Sequence, residues 1–415
     1  NSKWKACEIG DDETADAEVE KANSYDADWK QAWVENLRAI HKRAKDKTSG
    51  FVIFIGDSIS YQNQNRHFPM HYKGNHELAQ TIKWSLAGDE NWGGPTPPNC
   101  KNGWKLAAFD HPAGSRSYTA ESGIRADQWI KGDSGKTSVT GKNDPRPIDH
   151  LLENENTGPH PASKDGYTVA VVKDAQVCFV LLGTNDVSAK RSPSDVVRDL
   201  RSIYEKLIAK DIMPVVQTLP VYDGKEAEVD ALNREIRALA KDMKLPLVDI
   251  QAEFMRRIPK GPWRGKLLSD NVHPNSGPTG DPFNDPTMLN RSGSLLRGFL
   301  LVCKLHEIKK FVIDGDTPPG GSGAGADDNS EAIRITSIDI PAARVGEEYQ
   351  FVMTAEDGIE PYRWSASGLP AGMRISPEGL ISGTPRRAGE SKVTIRVRDK
   401  MFKSAQFVTE LTVVQ

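Results

Sequence analysis

Two unbroken apolar runs, FVIFIG (51–56) and AQVCFVLLG (175–183), constrain this chain more than any other feature. A half-exposed strand would alternate apolar and polar residues. A membrane span would need roughly 20 apolar residues. Runs this short, rich in β-branched and aromatic side chains, suit strands buried on both faces. The segments that follow alternate in type. SDVVRDLRSIYEKLIAK (194–210) has helical spacing, with Ser192 or Ser194 as its cap. MPVVQTLPV (213–221) reads as a strand, 227–244 as a helix, LPLVDI (245–250) as a strand and SLLRGFLLVCKLHEIKKF (294–311) as a helix. Strands and helices that alternate over short joints predict a parallel sheet with helices on both faces.

Length and composition add boundaries. At 415 residues the chain exceeds one ordinary core. Residues 1–27 are acidic and polar and read as a loose arm. A helix is expected from Asp28 to Lys45, and 28–313 is the α/β body. Residues 314–332, rich in Gly, Asp and Pro, read as a flexible linker. From 333 to 415, short alternating segments separated by Gly and Pro turns predict a small all-β sandwich. A net charge of −3 supplies no basic field for nucleic acid or anionic lipid. Four cysteines, Cys7, Cys100, Cys178 and Cys303, show no zinc-ligand spacing. Cys178 reads as a buried thiol; Cys7, Cys100 and Cys303 could supply one disulfide. No metal and no cofactor is expected.

Three short motifs carry candidate chemistry. Gly56-Asp57-Ser58 follows the first strand, where a hydroxyl can enter the crevice at a sheet edge; a plain helix cap would look the same. Gly183-Thr184-Asn185-Asp186 follows the second, and the Asn185 amide could donate to an oxyanion; an Asx turn is the alternative. Asp270-Asn271-Val272-His273 lies beyond the last strand. A serine needs a base, and an imidazole needs a carboxylate to fix its tautomer. Each motif follows a different strand, so all three can meet at one edge.

Together these motifs resemble blocks I, III and V of the SGNH (GDSL-like) hydrolases over residues 48–312. The resemblance implies a three-layer α/β/α flavodoxin-like fold and a serine esterase working through an acyl-enzyme. It implies Ser58 as nucleophile, His273 as general base and then acid, and Asp270 as its orienting partner. The oxyanion hole would comprise the Ser58 N–H, the Asn185 side chain and a Gly N–H, for which Gly123 in AESGIRADQW is the candidate. A shifted register would put Ala126 there. The chain departs from compact members of the family in its long segment between Ser58 and Gly123, which holds Trp84, Trp92, Trp104, His67, His71, His76 and His111. Aromatic faces stack on sugars, so Trp92 and Trp104 are candidate substrate contacts; packing of the insertion onto the body is the alternative.

The C-terminal segment, with GLPAGM, GLISGTP and VTIRVRD, resembles the putative Ig (cadherin-like) repeats of bacterial extracellular proteins. That implies a secreted or cell-surface setting, and Asn1 as first residue is compatible with a removed leader. The expected activity is hydrolysis of short acyl esters, with O-acetyl groups on a carbohydrate as the leading substrate. A lipase-like esterase and a non-catalytic glycan-binding or adhesion protein are the alternatives. The expected partner is the acylated substrate, without nucleic acid or membrane span.

Overall fold

The structure, a computed structural model, describes residues 12–61, 65–74, 76–92, 101–108, 119–131, 147–153, 172–318, 333–338, 340–357, 360–398 and 404–415. The chain divides into two compact units, Asn1–Gly321 and Ser322–Gln415.

The first unit begins with α1 (Asp12–Ala22) and α2 (Lys30–Arg43), followed by β1 (Val52–Gly56). The acidic stretch expected to be a loose arm is therefore helical from Asp12. Glu18 on α1 accepts from Arg256 at 2.8 Å and also from Arg257. After β1 come α3 (Ser58–Tyr61), α4 (His67–His71), α5 (Leu78–Trp84), α6 (Gly103–Ala108), α7 (Ala126–Lys131) and α8 (Pro147–Glu153). The regular alternation then sets in: β2 (Val177–Leu181), α9 (Thr184–Ser188), α10 (Pro193–Ala209), β3 (Met213–Gln217), α11 (Glu226–Asp242), β4 (Leu247–Val248), α12 (Ile250–Arg257) and α13 (Gly293–Ile308). Side-chain caps fix several starts. The Ser192 hydroxyl accepts from Asp195 N–H, Asp249 from Ala252 N–H and Ser292 from Leu295 N–H.

The four strands pair in parallel in the order β1-β2-β3-β4. A parallel bridge between Gly56 and Ala120 adds the 119–121 segment on the outer side of β1. Counting that segment second in chain order, the spatial order is 2-1-3-4-5, that of flavodoxin-like sheets. Every residue of β1, β2 and β3 is buried, which is why their sequences do not alternate. One helical layer contains α2 and α13, with α1, α4 and α5 packed on α13. The other contains α10 and α11, with α7 and α8 against α10. The order reverses beside β1, so a crevice opens at the C-terminal ends of β1 and β2. No helix among the described residues is long and apolar enough to cross a membrane.

Cys178 and Cys303 are both buried free thiols. Cys303, expected to be available for a disulfide, sits inside α13 and takes no part in one. Cys7 and Cys100 lie outside the described residues.

Among the described residues, the regular elements of the second unit are all strands: β5 (Arg334–Ile335), β6 (Ala343–Arg344), β7 (Tyr349–Val352), β8 (Ala355–Glu356), β9 (Arg363–Ser367), β10 (Met373–Ile375), β11 (Leu380–Gly383), β12 (Gly389–Arg398) and β13 (Ser404–Val414). Its sheets run β10-β11-β7 and β6-β13-β12-β9, with β5 paired to β8. Trp364, Ile381, Ile395, Val397, Leu411 and Val413 point into its own core. The alternation that marked these segments is thus the inward–outward period of strands buried on one face.

Candidate active site

Ser58 opens α3 directly beyond the end of β1. Gly56 must be glycine there. A Cβ on it would lie 2.2 Å from Ser60 Oγ and 2.8 Å from the Leu181 carbonyl. The close approach lets the chain turn sharply out of the sheet and leaves Ser58 only slightly exposed, at 8%.

His273 reaches Ser58 from the turn after α12. Its Nε2 lies 2.9 Å from Ser58 Oγ. Its Nδ1 lies 2.7 Å from Asp270 Oδ2. The N–H groups of Val272 and His273 both donate to Asp270 Oδ1 at 2.8 Å, so the carboxylate organises the turn that carries its own imidazole. Ser269 N–H closes the turn on the His273 carbonyl at 2.8 Å. Below it, the Asn275 amide donates to Lys266 O and Arg291 O and accepts from Gly293 N–H. Burial alone would raise the Asp270 carboxyl. The two amides and the imidazole outweigh it and hold the group below the usual carboxylate range. An ionised Asp270 on Nδ1 leaves Nε2 free to accept the Ser58 proton.

Asn185 sits in the first turn of α9, beyond the left-handed Gly183. Its Nδ2 donates to the Ile124 carbonyl at 3.0 Å. Next to it, Asp186 Oδ2 accepts from Ala126 N–H at 3.0 Å, and Arg191 donates to Asp186 and Asp199. Burial raises the Asp186 carboxyl although these donors oppose it. The 121–126 turn is therefore stitched to the Asn185 loop at two points. It is also stitched to β1, because Glu121 N–H donates to Gly56 O at 3.2 Å. Gly123 lies in this turn with φ +81°, a conformation that favours glycine. Ala126, the other register for the hole, spends its N–H on Asp186.

The structure thus brings together Ser58, His273 and Asp270, and it clips the Asn185 loop to the turn containing Gly123. Trp104 is different. It is fully buried, its ring 4.6 Å from Phe54 and its Nε1 bonded to Ser85 Oγ at 3.0 Å. It anchors the insertion to β1 and offers no face to a ligand, which corrects the substrate-contact expectation. Trp92 is half-buried against the main core, and its carbonyl accepts from Arg66 at 2.8 Å.

Asp16 of α1 and His76 and Glu77 of the insertion come within metal-ligating distance of one another. However, His76 Nδ1 accepts the Leu78 N–H. A neutral imidazole must then carry its proton on Nε2, which points at Asp16 Oδ1 at 3.2 Å. The donor set fits a helix cap rather than an ion. Two residues given no role by the sequence motifs belong to the site's foundations. Asp57 is fully buried under Ser58. Arg297, also fully buried, extends from α13 beneath the same turn. The readable sign of the second is a lone arginine in the apolar opening turns of α13.

A flavodoxin-like sheet with a Ser–His–Asp relay at its switch point defines the first unit as an α/β domain with a serine-hydrolase-type site. Residues 113–277 match the GDSL-like Lipase/Acylhydrolase family, and 332–414 match the family described as Putative Ig domain. The α/β unit is of the GDSL-like type, and an Ig-like domain follows it. The first match contains Asn185, Asp270 and His273, whereas Ser58 precedes it. No curated protein matches the sequence. Among solved structures, a member of the lipolytic protein G-D-S-L family from Veillonella parvula is similar over 62% of this chain and 96% of its own, at 16% identity and TM-score 0.30. An acetyl xylan esterase is similar over 54% of this chain and 91% of its own, at 16% identity and TM-score 0.31. A putative alpha-galactosidase/melibiase from Bacteroides fragilis shares 20% identity over 20% of this chain at TM-score 0.18; the chain spans only 17% of that protein.

Proposed function

We propose that the protein is a serine ester hydrolase that removes short acyl groups, with O-acetyl groups on a carbohydrate as its substrate class. The observation that carries the ester chemistry is the unbroken relay of Ser58 Oγ, His273 Nε2, His273 Nδ1 and Asp270 Oδ2, at 2.9 and 2.7 Å. In this reading Ser58 Oγ attacks the ester carbonyl carbon while Nε2 takes its proton. The oxyanion receives the Ser58 N–H, the second N–H of the Asn185 amide and a backbone donor from the Gly123 turn. An amide nitrogen has two donors, and Asn185 spends one on Ile124 O. Collapse breaks the C–O bond and His273 returns the proton to the departing alcohol. Water, deprotonated by His273, then attacks the acyl-Ser58 carbonyl; the Ser58 Oγ–acyl bond breaks, His273 returns the proton to Oγ, and the acid leaves.

The substrate part of the reading has separate support. The surface beside His273 is polar. Asp223 N–H donates to Asn271 O at 2.8 Å, the Tyr222 and Ser188 hydroxyls lie 3.2 Å apart, and the exposed Arg264 is nearby. Such a rim suits a hydroxyl-rich alcohol better than a long acyl chain. The appended Ig-like unit supports an extracellular or cell-surface setting.

Ser58→Ala is expected to abolish p-nitrophenyl acetate turnover, a loss on the order of 10⁶ by comparison with nucleophile removal in other serine hydrolases, with circular dichroism unchanged. Undiminished turnover in a folded variant rules the reading out. A series from acetate to decanoate is expected to fall in kcat/KM with length. A rise points instead to a lipase-like esterase, and binding of glycans without any fluorophosphonate labelling of Ser58 points to a non-catalytic protein. Acetate release from acetylated polysaccharides checks the sugar.

A further inference from the structure

The Ser58 turn rests on a buried cation that takes no part in the acyl transfer itself. Arg297 is fully buried in α13, where a charged side chain is expensive unless its donors are satisfied. Its Nη1 donates to the Ile59 carbonyl at 2.7 Å. Its Nη2 donates to Ser60 Oγ at 3.3 Å and to Gln217 Oε1, at the end of β3, at 3.1 Å. Two of these three acceptors belong to the two residues that follow Ser58. The next residue, Gly298, lets the same helix lie close against the Asn65–Phe68 segment, where a Cβ would lie 2.9 Å from Phe68 Cβ and 3.0 Å from Asn65 O.

From the other side, Asp57 Oδ1 accepts the Ile59 N–H at 3.0 Å. Residue 59 is therefore gripped at both backbone groups, at N–H by Asp57 and at C=O by Arg297. Ser58 lies between Asp57 and Ile59, so its backbone has little freedom. We propose that Arg297 is a positioning residue for the nucleophile, clamping the turn that carries Ser58 and supplying the counter-charge to the buried Asp57. The proposal rests on the esterase reading and deepens it.

A neutral donor could satisfy the Ile59 carbonyl, so the guanidinium's charge needs its own reason. Asp57 supplies it. The charged or titratable groups that face Asp57 are Arg297 from α13 and His273 from the turn after α12, with the Thr184 hydroxyl of α9 beside them. Burial pushes the Asp57 carboxyl up to about 6, against the pull of the Ile59 amide, Arg297, Thr184 and His273. Burial likewise draws Arg297 down to about 9, and the Asp57 charge opposes that. Without Arg297, Asp57 holds its proton to higher pH. Its negative charge near His273 is then missing when the imidazole becomes cationic during attack.

The test compares wild type, R297Q, R297K, D57N and D57N/R297Q. Each is measured for thermal unfolding, fluorophosphonate labelling of Ser58 and the pH profile of kcat/KM with p-nitrophenyl acetate. R297Q is expected to lose about 10–100-fold in labelling rate and kcat, with KM little changed, as misplaced reacting groups do. The acid limb of its profile is expected to move to higher pH. D57N/R297Q is expected to show no such shift relative to D57N. R297K keeps the charge with poorer hydrogen bonds, so it should keep the wild-type limb at reduced kcat. It carries the charge test even where R297Q folds poorly. A folded R297Q with wild-type rate and profile overturns the proposal, as does an R297K limb displaced upward. A wild-type protein that neither labels nor turns over ester removes the esterase reading itself, a different and recognisable result.

Discussion

Two aspartates flank the Ser58–His273 pair, and the fold treats them in opposite ways. Asp270 stands on an exposed turn, its side chain half open to solvent. It receives the Val272 N–H, the His273 N–H and the imidazole, and its carboxyl is held low. Asp57 is sealed under the nucleophile with one backbone donor on Oδ1, and burial pushes it up to about 6. The exposed group keeps its charge through hydrogen bonds that its own turn supplies, at little cost in desolvation. The buried group relies first on the Ile59 amide and then on charge delivered by a distant helix. One serves the imidazole directly; the other holds the backbone from which the nucleophile projects.

The sharpest way to break this comparison is Asp270→Asn. Isosteric amide substitution of a triad aspartate favours the wrong imidazole tautomer and costs about 10⁴ in kcat in the serine protease template. A loss on the order of 10²–10⁴ is expected here, because solvent and the turn amides still orient the exposed ring. Steady-state kinetics at neutral pH measures it. A loss below about tenfold means that Asp270 is not the partner that fixes His273. Stability should change by less than about 1 kcal/mol, since the group is half open to water.

Much of this arrangement is legible in the residues. Continuous apolar runs without alternation announce strands covered on both faces, and the Ser58 and Asn185 loops each follow such a run. The Asp270–His273 spacing marks a candidate base, and the turn that joins the pair is a local device held by the aspartate's own backbone contacts. What is not legible depends on packing between distant segments. Arg297 comes from the last helix of the α/β unit, far along the chain from Asp57, and nothing in the helix sequence states that it ends beneath the nucleophile. Trp104 defeats the sequence reading for a related reason. An aromatic in an insertion can face outward to a ligand or inward to a strand, and only the position of Phe54 decides which. The acidic N-terminal stretch lacks a helical signature because its helix gains its hold from Arg256 and Arg257, on a distant element. The 119–121 segment is too short to show periodicity and pairs only by bridging to Gly56.

The finer contrast between the two aspartates is thermodynamic, and Asp57→Asn tests it. A carboxyl raised in the folded state favours folding when protonated. Its stabilising contribution is fully present below the unfolded value of 3.8 and is lost as pH rises through about 6. The shift corresponds to about 3 kcal/mol, so wild-type stability should decline by an amount of this order between about pH 4 and about pH 7 through this one group. The asparagine side chain introduced by D57N resembles the protonated carboxyl in shape and charge and does not titrate. The variant should therefore match wild type near pH ~4 and exceed it at pH ~7.5. It should lose about tenfold or more in kcat, because the charge beside the imidazole is gone, although the amide oxygen can still accept the Ile59 N–H. Urea unfolding at about pH 4.5, 6 and 7.5, followed by tryptophan fluorescence, reads the difference directly. A variant less stable than wild type at the highest of these pH values means that the ionised Asp57 with its Arg297 neighbour is a net support of the fold, and the contrast with Asp270 disappears. A variant more stable but slower means that the nucleophile turn trades stability for a charge placed beside the imidazole.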